Sequence, residues 1–489
     1  MSRFNTAVSA ATTPNFAGGE AYAQTPELEF VSILLTSFMK DQYYRKADDS
    51  INRIKELIKT VDPLFAAKAA LYARNEFGMR SVSHVVAGEL AGYRNADWTK
   101  RFYDKIVHRP DDMTEIMSYI YASGKKETNP IRKGFGAAFQ RLDEYQLAKY
   151  KGEGKEFSLI DLVNMVHPKA TPAITALMKG TLKTPETWET KLSQAGKSED
   201  VEEAKTEAWR ELVLSKKIGY FALLRNLRNI HETGDEKLIA AACALLQNEK
   251  MIKKSLVLPF RFYTAYFEIR ELQGSGKILK AISDALDISL SNIPVFPGKS
   301  LVVVDHSGSM ESQAKDAKYT NFQIGALLGA ALAKVQDADF MYFGDMAKFY
   351  SVNPVDSTLS IVEVMDKLND QSGGWYGSND KTGTNVGHGT NFNAVFQEAS
   401  KAYDRIFIFS DMQGWVGHSP AQHAFNEYKS RTGAHPSLYS FDLSGYGTMQ
   451  FPEPQVYAIA GFSEKIFDIV KLLEQDKNAL INKINEVEL

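Results

Sequence analysis

The sequence predicts a multidomain α plus α/β protein: helix pairs stacked as HEAT-like repeats over residues 1–290, then a doubly wound, parallel-sheet domain over 291–489. Three observations predict it. Apolar residues recur at helical spacing from about Leu28 to Leu290. At FPGKSLVVVDHSGSM (296–310) that spacing gives way to a β-branched run behind a Pro-Gly break. Beyond it, short apolar runs alternate with helical segments, the pattern of strands covered on both faces.

The helical elements read in order as LEFVSILLTSFM (28–39), INRIKELIKTV (51–61), PLFAAKAALYAR (63–74), SVSHVVAGELAGYR (81–94), FSLIDLVNMV (157–166) and KLIAAACALLQ (237–247). Pro and Gly signals break them at RPDD (109–112), TNPIRKG (128–134) and HPKATP (167–172). This rhythm suits stacked helix pairs, each burying its apolar face only against neighbours. No strict repeat is present, so the repeats are degenerate.

In the second domain, strands are expected at Ser300–Asp305, Phe340–Phe343, Arg405–Ser410 and Ser437–Asp442. Helices are expected near 321–335, 358–369, 391–403, 420–431 and 463–475. The Gly- and Asn-rich stretch 373–389 is longer than most connections in such folds and reads as a functional loop.

Composition bounds the rest. Hydrophobic residues make up 44% and charged residues 24%, and no apolar run is long enough for a membrane helix, so a soluble protein is expected. The first residues, MSRFNTAVSAATTPNF, resemble no secretory signal, and Cys243 is the single cysteine, which excludes internal disulfides. A cytoplasmic monomer without membrane contact is the expectation. Residues 1–290 carry 42 Lys and Arg against 37 Asp and Glu, a net +5, whereas the remainder carries 15 against 23, a net −8. The front half therefore suits polyanions and the rear half cations.

Asp305, Ser307 and Ser309 follow Leu301-Val302-Val303-Val304, where ligands bind in open parallel sheets. A carboxylate and two hydroxyls at alternate positions present three hard oxygens to one point, which suits Mg²⁺. Thr390, in GTN before FNAVFQEAS, and Asp411, after RIFIFS, add two more. A catalytic triad is not indicated: Asp305, His306 and Ser307 are contiguous and no GxSxG elbow is present. GSGK (274–277) lacks the flanking residues of a phosphate loop and reads as a helix-ending turn. His306, His388 and His418 flank the site without being needed as ligands. A Mg²⁺-dependent hydrolase or nuclease would want more acids than these two. No catalytic residues are assigned.

The three segments resemble, in this order, the metal-ion-dependent adhesion site of von Willebrand factor A domains, a resemblance covering about 296–489. NFAGGEAY (15–22), LAKYKGEG (147–154), LVNMVHPKA (162–170), GYFALLRNLRNI (219–230) and LPFRFYTAYFEI (258–269) resemble signatures of the TROVE module, which defines the Ro autoantigen family. The resemblance implies a ring of HEAT-like repeats closed by the A domain, and binding of small non-coding RNAs. Y RNA-like molecules would lie on the outer surface, and single-stranded 3′ ends of misfolded RNAs in the ring hole. By motif match Lys149 and His167 are RNA contacts, with Lys151 and Lys169 flanking them. Where family members carry a richer basic stretch, GFGAAFQR (134–141) leaves only Lys133 and Arg141. An exoribonuclease or another protein could be tethered through the RNA or the ion. The alternative function is a metal-dependent adaptor that recruits a protein partner through the A domain.

Overall fold

The structure is a computed structural model and describes residues 12–14, 20–23, 25–36, 47–93, 97–150, 156–184, 187–216, 218–255, 257, 259–311, 319–371, 384–414, 420–443, 448–449, 456–460, 467, 470–471, 473–474 and 479–489. They form two compact units: Pro26–Asp41 with Lys46–Glu199 and Asn478–Leu489, and Met1–Thr25 with Gln42–Arg45 and Asp200–Lys477. No helix among the described residues is long and apolar enough to cross a membrane.

The first unit is helical. Its helices start on local signals: Asp62 accepts from the Phe65 N–H ahead of Pro63–Glu76, and Ser158 from Asp161 ahead of Leu159–Val166. Proline occupies the first turn of Pro63–Glu76, Pro110–Ala122 and Pro172–Met178, where its missing N–H costs nothing. Helix Thr99–Lys105 packs on Asn129–Phe139, and only glycine fits the crossing at Gly134, because a Cβ there would lie 2.5 Å from the Tyr103 Cβ. Asp112, fully buried, ties three helices together. It accepts from Arg74 (3.0 Å), Arg80 (2.7 Å) and the backbone N–H groups of His108 and Arg109 (2.9 Å each). Helix Ala479–Asn485 belongs to this unit too, packed along Pro63–Glu76, with Lys68 donating to the Asn485 carbonyl at 2.5 Å.

The second unit begins with further helices, from Val201–Leu214 to Gly276–Ser289. GSGK is the turn expected, Gly274 taking φ 78° between Pro259–Arg270 and Gly276–Ser289. Among the described residues the unit holds nine strands: β1 (Thr12–Pro14), β2 (Glu20–Ala23), β3 (Ser300–Asp305), β4 (Asp339–Phe343), β5 (Ala347–Tyr350), β6 (Arg405–Ser410), β7 (Ser437–Asp442), β8 (Thr448–Met449) and β9 (Val456–Ala460). β1, β2 and β8 make a small antiparallel sheet absent from the sequence reading. The others form one sheet in the order β5-β4-β3-β6-β7-β9, parallel except for the antiparallel edge β5.

Alternation along β3 covers that sheet on both faces. Leu301 and Val303 share a buried cluster with Phe392, Phe396, Phe425 and Tyr428 from helices Phe392–Glu398 and Ala421–Thr432. Val304 faces helix Asn321–Gln336, so closely that a Cβ on Gly329 would stand 2.6 Å from its Cγ2. The chain is thus helical repeats plus a von Willebrand factor A-like domain. The helix expected over 391–403 ends at Glu398: Ala399 turns extended (ψ 99°), and Tyr403 then donates to Asp339 at 2.6 Å. Most of 463–475 and of the loop 373–389 lies outside the described residues.

Candidate metal centre and RNA-facing residues

Sheet register brings the two carboxylates together. β3 and β6 pair in parallel with Val304 opposite Phe409, so both strands deliver their last residues to one edge. There Ser410 Oγ donates to Asp305 Oδ2 at 2.5 Å, and the Ser307 N–H donates to Asp305 Oδ1 at 2.8 Å. Ser307 and Ser309 hydroxyls lie 3.2 Å apart, and Ser309 in turn hydrogen-bonds Asp411. Met412 adopts φ 58°, a left-handed conformation costly for such a residue, and its N–H bonds Ser410 Oγ at 2.9 Å. That turn lets the chain leave β6 directly after Asp411. The third segment is held by backbone: Gly308 N–H donates to the His388 carbonyl at 2.9 Å, and Asn391 N–H to the Gly344 carbonyl at 3.0 Å. Thr390 lies between these two anchors.

All five expected oxygen donors sit in these loops, and four of them, Asp305, Ser307, Thr390 and Asp411, are at most 1% exposed. Thr390 Oγ1 is buried with no hydrogen-bond partner among the described residues. Burial, and then the charge of Asp411, lift the Asp305 carboxyl to about 7; burial likewise raises Asp411. Two buried carboxylates that resist ionising together, beside hydroxyls and an unpartnered threonine oxygen, are the donor set a hard divalent cation satisfies. No cluster of three or more His, Cys, Asp or Glu suited to a metal occurs among the described residues, so any ion here relies on hydroxyls. His306 is not a surface group: it is 1% exposed, its ring 4.5 Å from Phe322 and 4.8 Å from Tyr342. Burial holds its pKa down to about 3, so it is neutral and wedges the loop.

The expected RNA contacts fall in the first unit. Lys149 ends helix Glu144–Lys149, exposed, its ammonium 6.0 Å from the Tyr145 ring and 5.6 Å from the Tyr150 ring. Arg109 lies 4.8 Å over Tyr150 while also paired to Asp111 at 2.7 Å. His167 caps Leu159–Val166 in the left-handed conformation (φ 51°) and is exposed, as are Lys169 and Lys133. Gln140 donates to the Lys169 carbonyl at 2.9 Å, joining the 134–141 stretch to the HPK loop. Arg141 is half exposed but engaged, bonding Asp104 at 2.7 Å. Lys151 and His418 lie outside the described residues. Tyr145, Tyr150 and Arg109 had not been singled out from the sequence; the signal was the interleaving of aromatic and basic residues in EYQLAKYK.

The family model described as the TROVE domain matches residues 35–180 and 176–287. The chain is similar to telomerase protein component 1 of Mus musculus, 23% identical over 347 residues, an alignment taking in 51% of this chain and 13% of that protein. The same protein of Rattus norvegicus is 23% identical over 350 residues, with the same coverage. The chain thus spans only a small part of these relatives. Among solved structures, the RO (RSR) protein of Deinococcus radiodurans is similar at a TM-score of 0.63 and 16% identity, covering 91% of this chain and 98% of that one. At that identity the likeness speaks to fold.

Proposed function

Because this chain belongs to the TROVE-domain family, whose members are generally RNA-binding, we propose that it binds small non-coding RNA, including single-stranded 3′ ends, as a scaffold or quality-control factor without catalysis of its own. The observation that carries this is the strip Arg109, Tyr150, Lys149, Tyr145. Lys149 has no carboxylate partner among the described residues, and two tyrosine rings flank it. A free cation beside stacking surfaces is what an RNA backbone and its unpaired bases require. Exposed His167, Lys169 and Lys133 extend the donor set.

The test is fluorescence anisotropy with a hairpin carrying a single-stranded 3′ tail, against a blunt duplex, between about 50 and 200 mM salt. The tailed RNA should bind preferentially and weaken steeply with salt. Lys149→Ala should weaken it further and flatten the salt slope by about 1. Equal retention of the blunt duplex, or no binding of either at low salt, sinks the proposal.

For the ion, the residues support Mg²⁺ held by Asp305, Ser307, Ser309, Thr390 and Asp411. When bound it would supply charge neutralisation and Lewis acidity. Asp305 and Asp411 would provide the charge, and the hydroxyls orient through the Ser307–Ser309 and Ser410–Asp305 bonds. A second reading, favoured by the same buried acids, is an adaptor whose ion takes a carboxylate from a protein partner. It requires partner capture to be lost in Asp305→Ala while RNA binding persists.

A further inference from the structure

β5 (Ala347–Tyr350) is the outermost strand of the six-stranded sheet. It pairs antiparallel with β4 on one side, and among the described residues no strand pairs along its other side. A bare edge is a row of backbone donors and acceptors, which proteins commonly blunt with a lysine or with short length. Lys348, however, directs its ammonium to the Asn385 carbonyl at 2.9 Å. Phe349 lies opposite buried Met341 and is still 40% exposed, and Met346, just before the strand, is 53% exposed. Among the described residues of 300–489, the exposed large apolar side chains are Met346, Phe349, Val355 and Val364, so all of them gather on β5 and the chain that follows it. Short length blunts an edge but does not explain that gathering, which marks an interaction surface. The charges at the strand ends are acidic. Asp345, exposed, precedes β5. Burial and then the charge of Asp356 raise the Tyr350 pKa, so a second carboxylate lies by the far end. Both belong to the stretch 291–489, with 15 Lys and Arg against 23 Asp and Glu.

We propose that β5 is a docking edge for a protein partner, which adds an extended segment to the sheet as a further strand. Main-chain hydrogen bonds to β5 supply the affinity, and alternate apolar side chains of the segment cover Phe349 and Met346. Lysines or arginines at both ends of the segment face Asp345 and Asp356. A second copy of this chain fits less well: pairing β5 antiparallel with itself would set Asp345 of each copy toward Asp356 of the other, like charge against like. The edge uses neither Lys149 nor the five oxygen donors of the ion site, so it is independent of both readings of function above.

The probe is a capped, labelled peptide of about nine residues, alternating valine and threonine between paired lysines, titrated into the full chain by anisotropy. It should bind equally well with Mg²⁺ or EDTA, and the amides of Ala347–Tyr350 should then exchange more slowly with solvent deuterium. The same peptide with glutamates in place of its lysines should bind about tenfold more weakly, as should the lysine peptide on Phe349→Lys, whose thermal melt reports whether it folds. Replacing Asp345 and Asp356 together by Asn should reduce the salt dependence of binding. No binding of the lysine peptide, equal binding of the two peptides, or slowed exchange confined to other segments overturns the proposal. So does slowed exchange of β5 that grows with protein concentration in the absence of peptide, which would make a second copy the occupant. Loss of binding in EDTA would assign the contact to the ion site instead. RNA binding, measured separately, is untouched by any of these results.

Discussion

Asp305→Asn is expected to stabilise the metal-free protein near pH 8 and to remove its response to Mg²⁺. The Asp305 carboxyl is fully buried, and burial together with Asp411 lifts its pKa from the ordinary carboxylate range to about 7. The sign follows from linkage. The folded state holds a proton that the unfolded chain releases above about pH 4, so the stability of the neutral form is complete below that value. It is lost as pH rises from there through about 7. Asparagine never carries the charge and escapes that loss; its side-chain oxygen can still accept from the Ser307 N–H. A cation offsets the same repulsion, so Mg²⁺ should raise the melting temperature of the unaltered chain more near pH 8 than near pH 6. Thermal denaturation with Mg²⁺ or EDTA at both pH values checks this. A Mg²⁺ response surviving in Asp305→Asn would place the ion elsewhere.

Asp112→Ala should cost the helical unit about 3–5 kcal/mol, because it strands buried cations without a partner. Burial by itself would raise the Asp112 pKa, but His84, 3.2 Å away, and the guanidiniums of Arg74 and Arg80 outweigh it and hold the carboxyl well below its usual range. Its contribution is therefore present above the ordinary carboxylate range and lost as pH falls below it. A domain's whole stability is about 5–15 kcal/mol, so the variant should unfold far earlier in urea, with its loss shrinking in acid. A denaturation curve within about 1 kcal/mol of the unaltered chain would show the helices to be held by apolar packing alone.

How much was legible in the sequence follows from which forces act locally. β3, β6 and β7 were legible to the residue, because a parallel strand covered on both faces must be a short continuous apolar run. The Asp305–Ser309 loop was legible because its oxygens are contiguous in sequence. β5 was not: Ala347–Tyr350 is an edge strand, partly exposed, with no apolar run to announce it. β1, β2 and β8 were missed because strands of two to four residues carry too little apolar alternation to read, and β8 depends on a partner more than 400 residues away, as Tyr22 and Met449 show. The early end of the 391–403 helix is tertiary too, set by Tyr403 reaching Asp339. The stretch LAKYKGEG (147–154) was visible as a motif, but the fact that Lys149 lies near two rings needed the fold.

The central claim is that this chain binds RNA through the Tyr145–Lys149–Tyr150 strip. Ultraviolet crosslinking of the full chain to RNA in its host, followed by sequencing the RNA and mapping the adducted peptides, tests it most directly. The account predicts small non-coding RNAs and adducts on peptides carrying Tyr145 or Tyr150. Absence of crosslinked RNA, or adducts confined to residues 296–489, would contradict it.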